Sequence, residues 1–410
     1  MSKIRILAIP PDTHGVGKYR ILDPYKYIGD NHSNEIHVDI AFKVEDDDEI
    51  FKNYDVVVFH SFIHQTQHET NIKRINWLKS NGIKVVMDID DMWTVDQRHP
   101  MYHQIKENKI AEKKVEMLRL ADYVTTTTPI FADTIKERIG LKNVFIFPNA
   151  VDENESQFQS NPIESELVRF GWLGGSSHLH DLELLEKGIS STHSSYKDKV
   201  QFVLCGFDLR GTVTEINKET GQINRRDIRP METVWYKYEN MFTDKYQVLD
   251  EDYRNYLLSF VNSPYGGNDL TKPYVRRWTK DVNSYATNYN YFDVSLAPLV
   301  ESVFNDNKSQ LKVIEAGFHK KALIASETKP YTLDLVSALE EGKFNSKGNA
   351  LLVSPNKNHK QWSQHMKKLM DNPNMIEDLG NRLYETVKDK YSLRNVSKDR
   401  IQFFNSIINK

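Results

Sequence analysis

The feature that most constrains the fold of this chain is an alternation of short apolar runs with helix-period segments, which occurs twice. The runs are rich in β-branched residues and apolar on both faces, which is typical of strands buried in a parallel sheet. The chain turns polar after Pro148, and the alternation then starts again. The first runs lie at 3–10, 55–62, 84–90, 122–128 and 143–149, and the second at 168–175, 200–207, 291–299, 322–326 and 350–355.

This doubled pattern predicts an α/β protein of two doubly wound, Rossmann-like domains that face each other across a cleft. At 410 residues, the chain exceeds what one hydrophobic core usually organises. We predict domains at 1–160 and 161–394 and a final segment at 395–410. Residues from about 208 to 272 interrupt the second domain, and because this stretch is too long for a plain loop we interpret it as a functional insertion.

Composition narrows the class of protein. The chain has 39% hydrophobic and 27% charged residues, as expected of a globular protein. Its net charge of -3 neither indicates nor excludes a nucleic-acid partner. The single cysteine, Cys205, excludes an internal disulfide framework and fits a reducing compartment. Because no stretch approaches about 18 apolar residues and the start lacks a signal-like apolar region, we predict a cytoplasmic protein without a membrane span.

The loop after the first strand, PPDTHGVGKYR, is a candidate ligand loop. Gly15 and Gly17 would let the backbone approach a ligand closely, while Lys18 and Arg20 could meet an anion. The loop is neither a Walker loop nor a GxGxxG motif, because Asp12 and Arg20 occupy positions that need glycine. A plain turn is the alternative interpretation.

An acidic cluster follows the third run and makes Asp90 and Asp91 candidate catalytic residues. Such carboxylates could bind a divalent cation, act as a general base or hold acceptor hydroxyl groups. For Asp91 alone, an N-cap of the next helix is the favoured interpretation. Three histidines spaced by four residues also follow a strand, and because no further ligand is evident we interpret them as polar lining of the cleft, with no metal site predicted. They are His60, His64 and His68.

In the second half, the stretch FGWLGGSSHLHD predicts a strand, then a pair of glycines, then a helix. Gly174, Gly175 and Ser176 lie where backbone N–H groups at a helix start can hold a pyrophosphate. A tight turn between strand and helix is the alternative interpretation.

Two lysines give the strongest signal in the chain. Lys308 and Lys312 are four residues apart, which predicts that both lie on one helix face near its N-terminus, with Glu315 one turn further along. Cations are unfavourable at a helix N-terminus unless an anion lies there. A diphosphate beside the lysines, with ribose hydroxyls on Glu315, would meet this demand; a solvated helix face is the alternative.

The order of these motifs resembles the glycosyltransferases of GT-B fold, and among them family 4. The resemblance is carried by GxGxxR at 15–20, PNAVD at 148–152, FGWLGG at 170–175 and the segment from KSQLKVIEA to ALIAS at 308–326. It implies that the N-terminal domain binds the acceptor, that the second domain binds a nucleotide sugar, and that the 395–410 helix returns to the first domain. It also implies transfer with retention and no metal.

The same resemblance assigns roles to residues. Glu315 corresponds to the second glutamate of a Glu, seven residues, Glu pattern that holds the ribose, and the first falls on Asn307, where an amide replaces the carboxylate. Arg276 and Arg277 are our substitutes for the arginine and lysine that the family uses on the phosphates. The predicted catalytic residues are Asp90, Asp91, Lys308 and Lys312, and the predicted donor-binding residues are Gly15, Gly17, Arg20, Gly174, Gly175, Ser176, Arg276, Arg277, Asn307, Ser309, Leu311 and Glu315.

The expected donor is a UDP- or GDP-sugar, no other cofactor is required, and the expected acceptor is a hydroxyl group of a glycan or lipid carrier. A different acceptor, a hydroxylated base in phage-type DNA, stays open because aromatic and guanidinium groups could grip it. The pattern also leaves open a non-catalytic sugar-nucleotide or glycan-binding protein, in keeping with Asn307, and an epimerase of the same fold. The residues that suggest nucleic acid are Arg225, Arg226, Arg229, Trp235, Arg276 and Arg277.

Overall fold

Two six-stranded sheets, both entirely parallel, form the framework of the protein. The computed structural model describes residues 3–44, 47–216, 223–243, 250–260, 266–340, 342–355 and 358–408. Two short antiparallel ribbons lie outside these sheets. The predicted α/β class with two doubly wound halves is confirmed.

The N-terminal sheet has the strand order β2-β1-β3-β4-β5-β6. Alternate residues along a strand pack into different apolar clusters: Leu7 and Ile9 contact one, and Ile6 and Ala8 the other. Because both faces are covered, every residue of the strand Val56–His60 is buried. The strands are β1 Ile4–Ile9, β2 Ile36–Ile40, β3 Val56–His60, β4 Lys84–Asp88, β5 Tyr123–Thr126 and β6 Val144–Ile146.

Helices cover both faces of this sheet. The helix after β5 is set by its own sequence: the Thr128 side chain accepts a hydrogen bond from the Phe131 N–H at 3.2 Å, and the chain leaves the helix at Gly140, whose φ is 81°. The helix therefore ends at this glycine. The helices are Asp23–Asn31, His68–Ser80, Tyr102–Glu107, Ile110–Leu120 and Pro129–Ile139, and the turns Gly15–Gly17 and Lys18–Leu22 precede them.

The second sheet has the order β11-β8-β7-β12-β13-β16, which is the doubly wound order 3-2-1-4-5-6 of nucleotide-binding folds. Its strands are β7 Val168–Leu173, β8 Val200–Phe207, β11 Tyr274–Trp278, β12 Val294–Ala297, β13 Ala322–Ser326 and β16 Leu351–Val353. The ribbons are β9 Thr212–Ile216 with β10 Ile223–Asp227, and β14 Leu339–Glu340 with β15 Lys343–Phe344. The helices are Leu179–Leu182, Glu186–Tyr196, Val234–Thr243, Glu251–Phe260, Val303–Asp306, Leu311–Phe318, Asn358–Asp371, Asn374–Val387 and Leu393–Ile408.

Part of the segment interpreted as an insertion belongs to the core of the second domain. Trp235, Tyr238 and Phe242 on helix Val234–Thr243 are buried in the same cluster as Phe202 of β8. This helix therefore lies in the crossover from β8 to β11. The β9–β10 ribbon is the more exposed part, since most of β10 is accessible to solvent.

The last helix, Leu393–Ile408, packs on the N-terminal domain. Phe403 and Phe404 lie in one cluster with Ile6 and Tyr25, and the ring centroids of Phe403 and Phe145 are 4.6 Å apart. The chain thus crosses back to its first domain after completing the second. None of the helices in the described ranges is long and apolar enough to cross a lipid bilayer.

Candidate functional site

A cavity of about 560 Å³ lies between the two domains, at the carboxyl ends of strands from both sheets. The N-terminal domain contributes the loop after β1 and the acidic residues after β4, and the second domain contributes the turn after β7 and the segment 308–315. Ligands of doubly wound folds bind at this end of the strands. The predicted residues that line the cavity are Gly15, Arg20, Asp90, Asp91, Gly174, Gly175, Lys308, Ser309, Leu311, Lys312 and Glu315.

The remaining predicted residues lie elsewhere, for physical reasons. Gly17 packs against the Asp12 carbonyl, where a Cβ atom would come within 2.0 Å of its oxygen. Ser176 lines a neighbouring cavity of about 350 Å³. Asn307 is buried and donates a hydrogen bond to the Val303 carbonyl at 2.7 Å.

The two arginines proposed as phosphate ligands do not line the cavity. Arg276 is fully buried, and its guanidinium pairs with the Glu239 carboxylate at 2.7 Å. Arg277 lies with its guanidinium carbon 3.7 Å from the centre of the Tyr291 ring. Both residues lie on the edge strand β11. Because Arg276 already has a buried partner, the prediction that it binds the phosphates is wrong.

Lys312 is held closely by the wall of the cavity. Its Nζ donates a hydrogen bond to the Leu173 carbonyl at 2.5 Å and lies 5.0 Å from the centre of the Trp172 ring. Burial of the ammonium, reinforced by the positive charge of Lys308, lowers the pKa of Lys312 to about 8 although Glu315 opposes the shift. An anion in the cavity would favour the charged form of this side chain.

Lys308 reaches the same cavity from a different element. The helix begins at Leu311, so Lys308 lies in the turn before it and the predicted placement of both lysines on one helix face is wrong. The Lys308 ammonium lies 5.0 Å from the centre of the Phe304 ring and lines both the cleft cavity and its neighbour. The two cations therefore converge through the fold of the turn.

Glu315 is buried under three tyrosines. The Tyr19 hydroxyl donates to its Oε1 at 2.8 Å, the Tyr285 hydroxyl donates to the same oxygen, and the Tyr289 hydroxyl donates to Oε2 at 3.1 Å. Burial raises the pKa of Glu315, and the tyrosine hydroxyls oppose this shift. Tyr19 comes from the N-terminal domain, so this carboxylate links the two domains. The predicted ribose contact would require a tyrosine to move aside.

A chain of hydrogen bonds crosses the cleft through Arg20. Its guanidinium holds both oxygens of Asp88, at 2.9 and 2.7 Å, and donates to Asn149 Oδ1 at 3.1 Å. Asn149 in turn donates to the Ser309 hydroxyl at 3.0 Å. Arg20 lines the cavity but is fully buried, and its donors are committed to Asp88 and the backbone. This ion pair makes Arg20 a structural link rather than the free anion contact that its loop suggested.

Asp90 and Asp91 differ in their surroundings although they are neighbours. His60 Nε2 lies 2.9 Å from Asp90 Oδ1. Burial favours the neutral form of Asp90, but His60 and Arg20 outweigh it and lower the pKa of Asp90 to about 2. Burial and the charge of Asp90 raise the pKa of Asp91. Asp91 does not cap a helix, since the next one begins at Tyr102, so the favoured N-cap interpretation is wrong.

The histidines do not converge. His60 contacts Asp90, His64 lies 2.5 Å from Arg74, and His68 lies 2.7 Å from Glu116. In the part of the chain that the structure describes, no three histidine, cysteine or acidic side chains come together as a metal site.

Several residues of the site are not predicted by the sequence. Tyr19, Tyr285 and Asn149 contact predicted residues. Asn149 belongs to the PNAVD motif, but the positions of Tyr19 and Tyr285 carry no pattern that marks them as site residues. His178 also lines the cavity and its Nδ1 lies 2.7 Å from Asp181. Burial, with the nearby lysines, lowers the pKa of His178 to about 4. In the turn that carries it, GGSSHLH, only the glycines and the first serine carry a recognisable signal.

The residues that suggested a nucleic-acid acceptor do not form one surface. Trp235 is buried in the core, and Arg276 is paired inside the domain. Arg226 is held by Glu215 and Glu232 at 2.8 and 2.6 Å. Only Arg225 and Arg229 of this set are both exposed and outside these pairs, so the set does not form the aromatic and guanidinium surface that kept this alternative open.

No protein-family model and no curated protein matches this chain. Solved structures do match it. Anabaena Alr3699/HepE in complex with UDP and glucose has a TM-score of 0.63 and 10% identity, over 98% of this chain and 100% of that chain. The catalytic domain of starch synthase IV from Arabidopsis thaliana, bound to ADP and acarbose, has a TM-score of 0.55 and 10% identity, over 100% of both chains.

The chain has the GT-B fold. TarM, known from S. aureus, matches as well, with a TM-score of 0.55 and 14% identity over 86% of this chain, which spans 55% of the length of TarM. Identities this low describe the fold alone, so membership of family 4 stays a prediction. In the GT-B fold found here, the cavity between the two sheets is the natural place for a ligand.

Proposed function

We propose that this protein is a glycosyltransferase that moves a sugar from a nucleotide-sugar donor to a hydroxyl group of an acceptor. The observation that carries the proposal is the composition of the cleft cavity, which has Lys308 and Lys312 on one side and Asp90 and Asp91 on the other. Two structural neighbours support it, since HepE was solved with UDP-glucose and starch synthase IV with ADP.

The donor diphosphate would lie against the second domain. Lys308 and Lys312 supply positive charge there, and the Gly174–Gly175 turn lines the same wall. As the bond between the sugar carbon and the phosphate oxygen breaks, its electron pair stays on the diphosphate. Cations and dipoles that are already in position stabilise that growing charge, and this effect is usually the largest part of catalysis.

The acceptor hydroxyl would approach from the N-terminal domain and, for the retention proposed here, would enter on the face of the sugar from which the diphosphate leaves. Its oxygen forms the new bond to the sugar carbon, and its proton passes to a carboxylate. Asp91 suits this role better than Asp90, because its pKa is raised whereas Asp90 is held ionised by His60. Glu315 would hold the ribose after Tyr19 or Tyr285 has moved. Retention, a UDP- or GDP-sugar donor, a glycan or lipid-linked acceptor, independence of metal and a cytoplasmic location belong to the same proposal.

The test is a panel of UDP-, GDP-, ADP- and CDP-sugars, measured by thermal shift and by release of free nucleotide. A donor that binds only the folded state raises its stability, by about 2.7 kcal/mol at a hundredfold excess over Kd. We expect one nucleotide to stabilise the wild type and a Lys187→Ala control, which changes an exposed lysine outside the cavities, but not a Lys312→Ala variant. If no nucleotide sugar binds, the proposal is wrong; if one binds without turnover, a non-catalytic binding protein replaces it.

A further inference from the structure

A second cavity, of about 630 Å³, lies within the N-terminal domain. Its walls come from the loop after β1, the end of β3 and the helices His68–Ser80, Tyr102–Glu107 and Ile110–Leu120. This size lies in the range of small-molecule sites. The resemblance to known glycosyltransferases predicts an acceptor on this domain but says nothing of its chemistry.

The two cavities meet at the acidic pair. Asp90 and Asp91 line the N-terminal cavity and also the cleft cavity, and Val16 is shared in the same way. A molecule in the N-terminal cavity can therefore present a hydroxyl group to Asp91 while a donor lies against Lys308 and Lys312. This geometry makes the cavity an acceptor site.

Two lysines place positive charge in this cavity, which the carboxylates of Asp12, Asp90 and Asp91 also line. Lys113 and Lys114, near the start of helix Ile110–Leu120, both line it and are partly buried. Across the described ranges, neither ammonium has a carboxylate within 4.0 Å, although the charge of Lys114 also acts on the carboxylates of Asp90 and Asp91. Cations are also unfavourable near a helix N-terminus. An anionic group between the two lysines would pair with both ammonium groups and offset their unfavourable position near the helix start. A phosphate can accept charge-assisted hydrogen bonds from each of them.

Ser61 lies in the wall of the same cavity and has an unfavourable backbone conformation. It is buried, its φ is 59°, and its hydroxyl has no hydrogen-bond partner among the described residues. A left-handed residue other than glycine costs of order 1–3 kcal/mol, and such strain collects at ligand sites. His60, which precedes it, holds Asp90. The backbone after β3 is therefore fixed in an unfavourable form at the point where an acceptor would meet the acidic pair.

We propose that the N-terminal cavity binds the acceptor and that the acceptor is a phosphate-bearing sugar or polyol. Lys113 and Lys114 hold the phosphate, and the hydroxyl that receives the sugar lies at Asp91. The inference rests on the proposed function for the meaning of the site, but the phosphate contact can be measured without any donor.

The experiment is calorimetric titration of the full chain, without donor, with glucose 6-phosphate and glycerol 3-phosphate, each compared with the matching neutral compound, glucose or glycerol. We expect at least one phosphate ester to bind about tenfold more tightly than its neutral counterpart, as two charge-assisted contacts allow. The Lys113→Gln/Lys114→Gln variant should lose that difference, and each single variant should lose part of it. Lys73→Gln, which changes an exposed lysine of the same domain outside the cavity, should keep it.

Three binding results would overturn the inference. They are equal binding of phosphate esters and neutral compounds by the wild type, unchanged preference in the double variant, and loss of the preference in Lys312→Ala alone, which would locate the phosphate in the donor site. The proposed function fails separately: if phosphate esters bind through Lys113 and Lys114 but no nucleotide sugar binds, the phosphate site stands and the transferase does not. If donors are used only with neutral acceptors, this inference alone fails.

Discussion

Lys312 and Lys308 face one cavity but differ in what surrounds their ammonium groups. Lys312 is fixed by the Leu173 carbonyl and the Trp172 ring, whereas Lys308 contacts Phe304 from the turn before the helix. Removal of charge near a diphosphate costs about 1.5–3 kcal/mol when a charge-assisted hydrogen bond is lost. The lowered pKa of Lys312 adds a pH dependence to its role.

We expect kcat/KM for the donor to fall as the pH rises through about 8, because Lys312 is charged below its pKa and neutral above it. The measurement is a pH profile from about 6.5 to about 9.5, which brackets that pKa. Lys312→Ala should reduce kcat/KM by about ten- to a hundredfold at neutral pH and abolish this fall. Lys308→Ala should shift the fall to higher pH, since it removes a repelling charge. A profile that is the same in all three proteins would contradict the assignment.

Glu315 is the second residue whose role can be separated by experiment. Glu315→Gln replaces one acceptor oxygen by an amide donor beneath three tyrosine hydroxyls, so we expect a loss of about 1–3 kcal/mol in the free energy of unfolding. We also expect weaker binding of the whole nucleotide sugar, measured by thermal shift. Tyr19→Phe is the control, because it removes one tyrosine donor and keeps the carboxylate. Equal use of ribose and 2′-deoxyribose donors by the wild type would end the ribose assignment.

At the scale of elements, the turn after β7 sets the position of Lys312. A Cβ atom on Gly174 would lie 2.5 Å from the Trp172 ring and 3.0 Å from the Lys312 ammonium, whereas a Cβ on Gly175 would meet nothing within 4 Å. The two adjacent glycines thus provide a matched pair of substitutions.

We expect Gly174→Ala to lower the free energy of unfolding by about 1–3 kcal/mol through overpacking and to weaken donor binding, because Trp172 and Lys312 must shift. Gly175→Ala should change the free energy of unfolding by less than about 0.5 kcal/mol. Urea unfolding and donor titration of both variants measure this. Similar behaviour of the two variants would show that the close packing around Gly174 has no part in the site.

Elements also show what the sequence can predict. The ten apolar runs correspond to ten strands of the two six-stranded sheets. In these sheets the runs miss β2 and β11, because both are edge strands and carry polar residues in place of a continuous apolar run. The sequence suggests that Arg276 on β11 is a surface cation, because nothing in the local sequence indicates its buried partner Glu239. The lysines of the cleft are predictable because their signal is local, whereas Tyr19 meets Glu315 across 296 positions and no local pattern encodes that contact.

At the scale of the whole molecule, the proposed diphosphate site and the acidic pair belong to different domains. A divalent cation that served the donor would need ligands beside Lys308 and Lys312, where the wall already carries positive charge. We therefore expect turnover to persist in excess EDTA. Loss of activity with rescue by Mn²⁺ would contradict a metal-free mechanism.

The matched variant for this test is Asp90→Asn. It removes the negative charge that faces His60 without touching the donor wall, so we expect a higher KM for the acceptor and an unchanged Kd for the donor. Full activity towards every acceptor would remove Asp90 from the acceptor side, whatever the result with EDTA.

The return of helix Leu393–Ile408 to the first domain has a consequence for synthesis on the ribosome. Phe403 and Phe404 complete the apolar cluster around Ile6 and Tyr25, but they are translated after the entire second domain. Domains usually fold in order of emergence. Here the apolar face of the first domain stays uncovered until about 230 further residues have been translated. A nascent chain that stalls within the second domain would therefore expose a surface prone to aggregation.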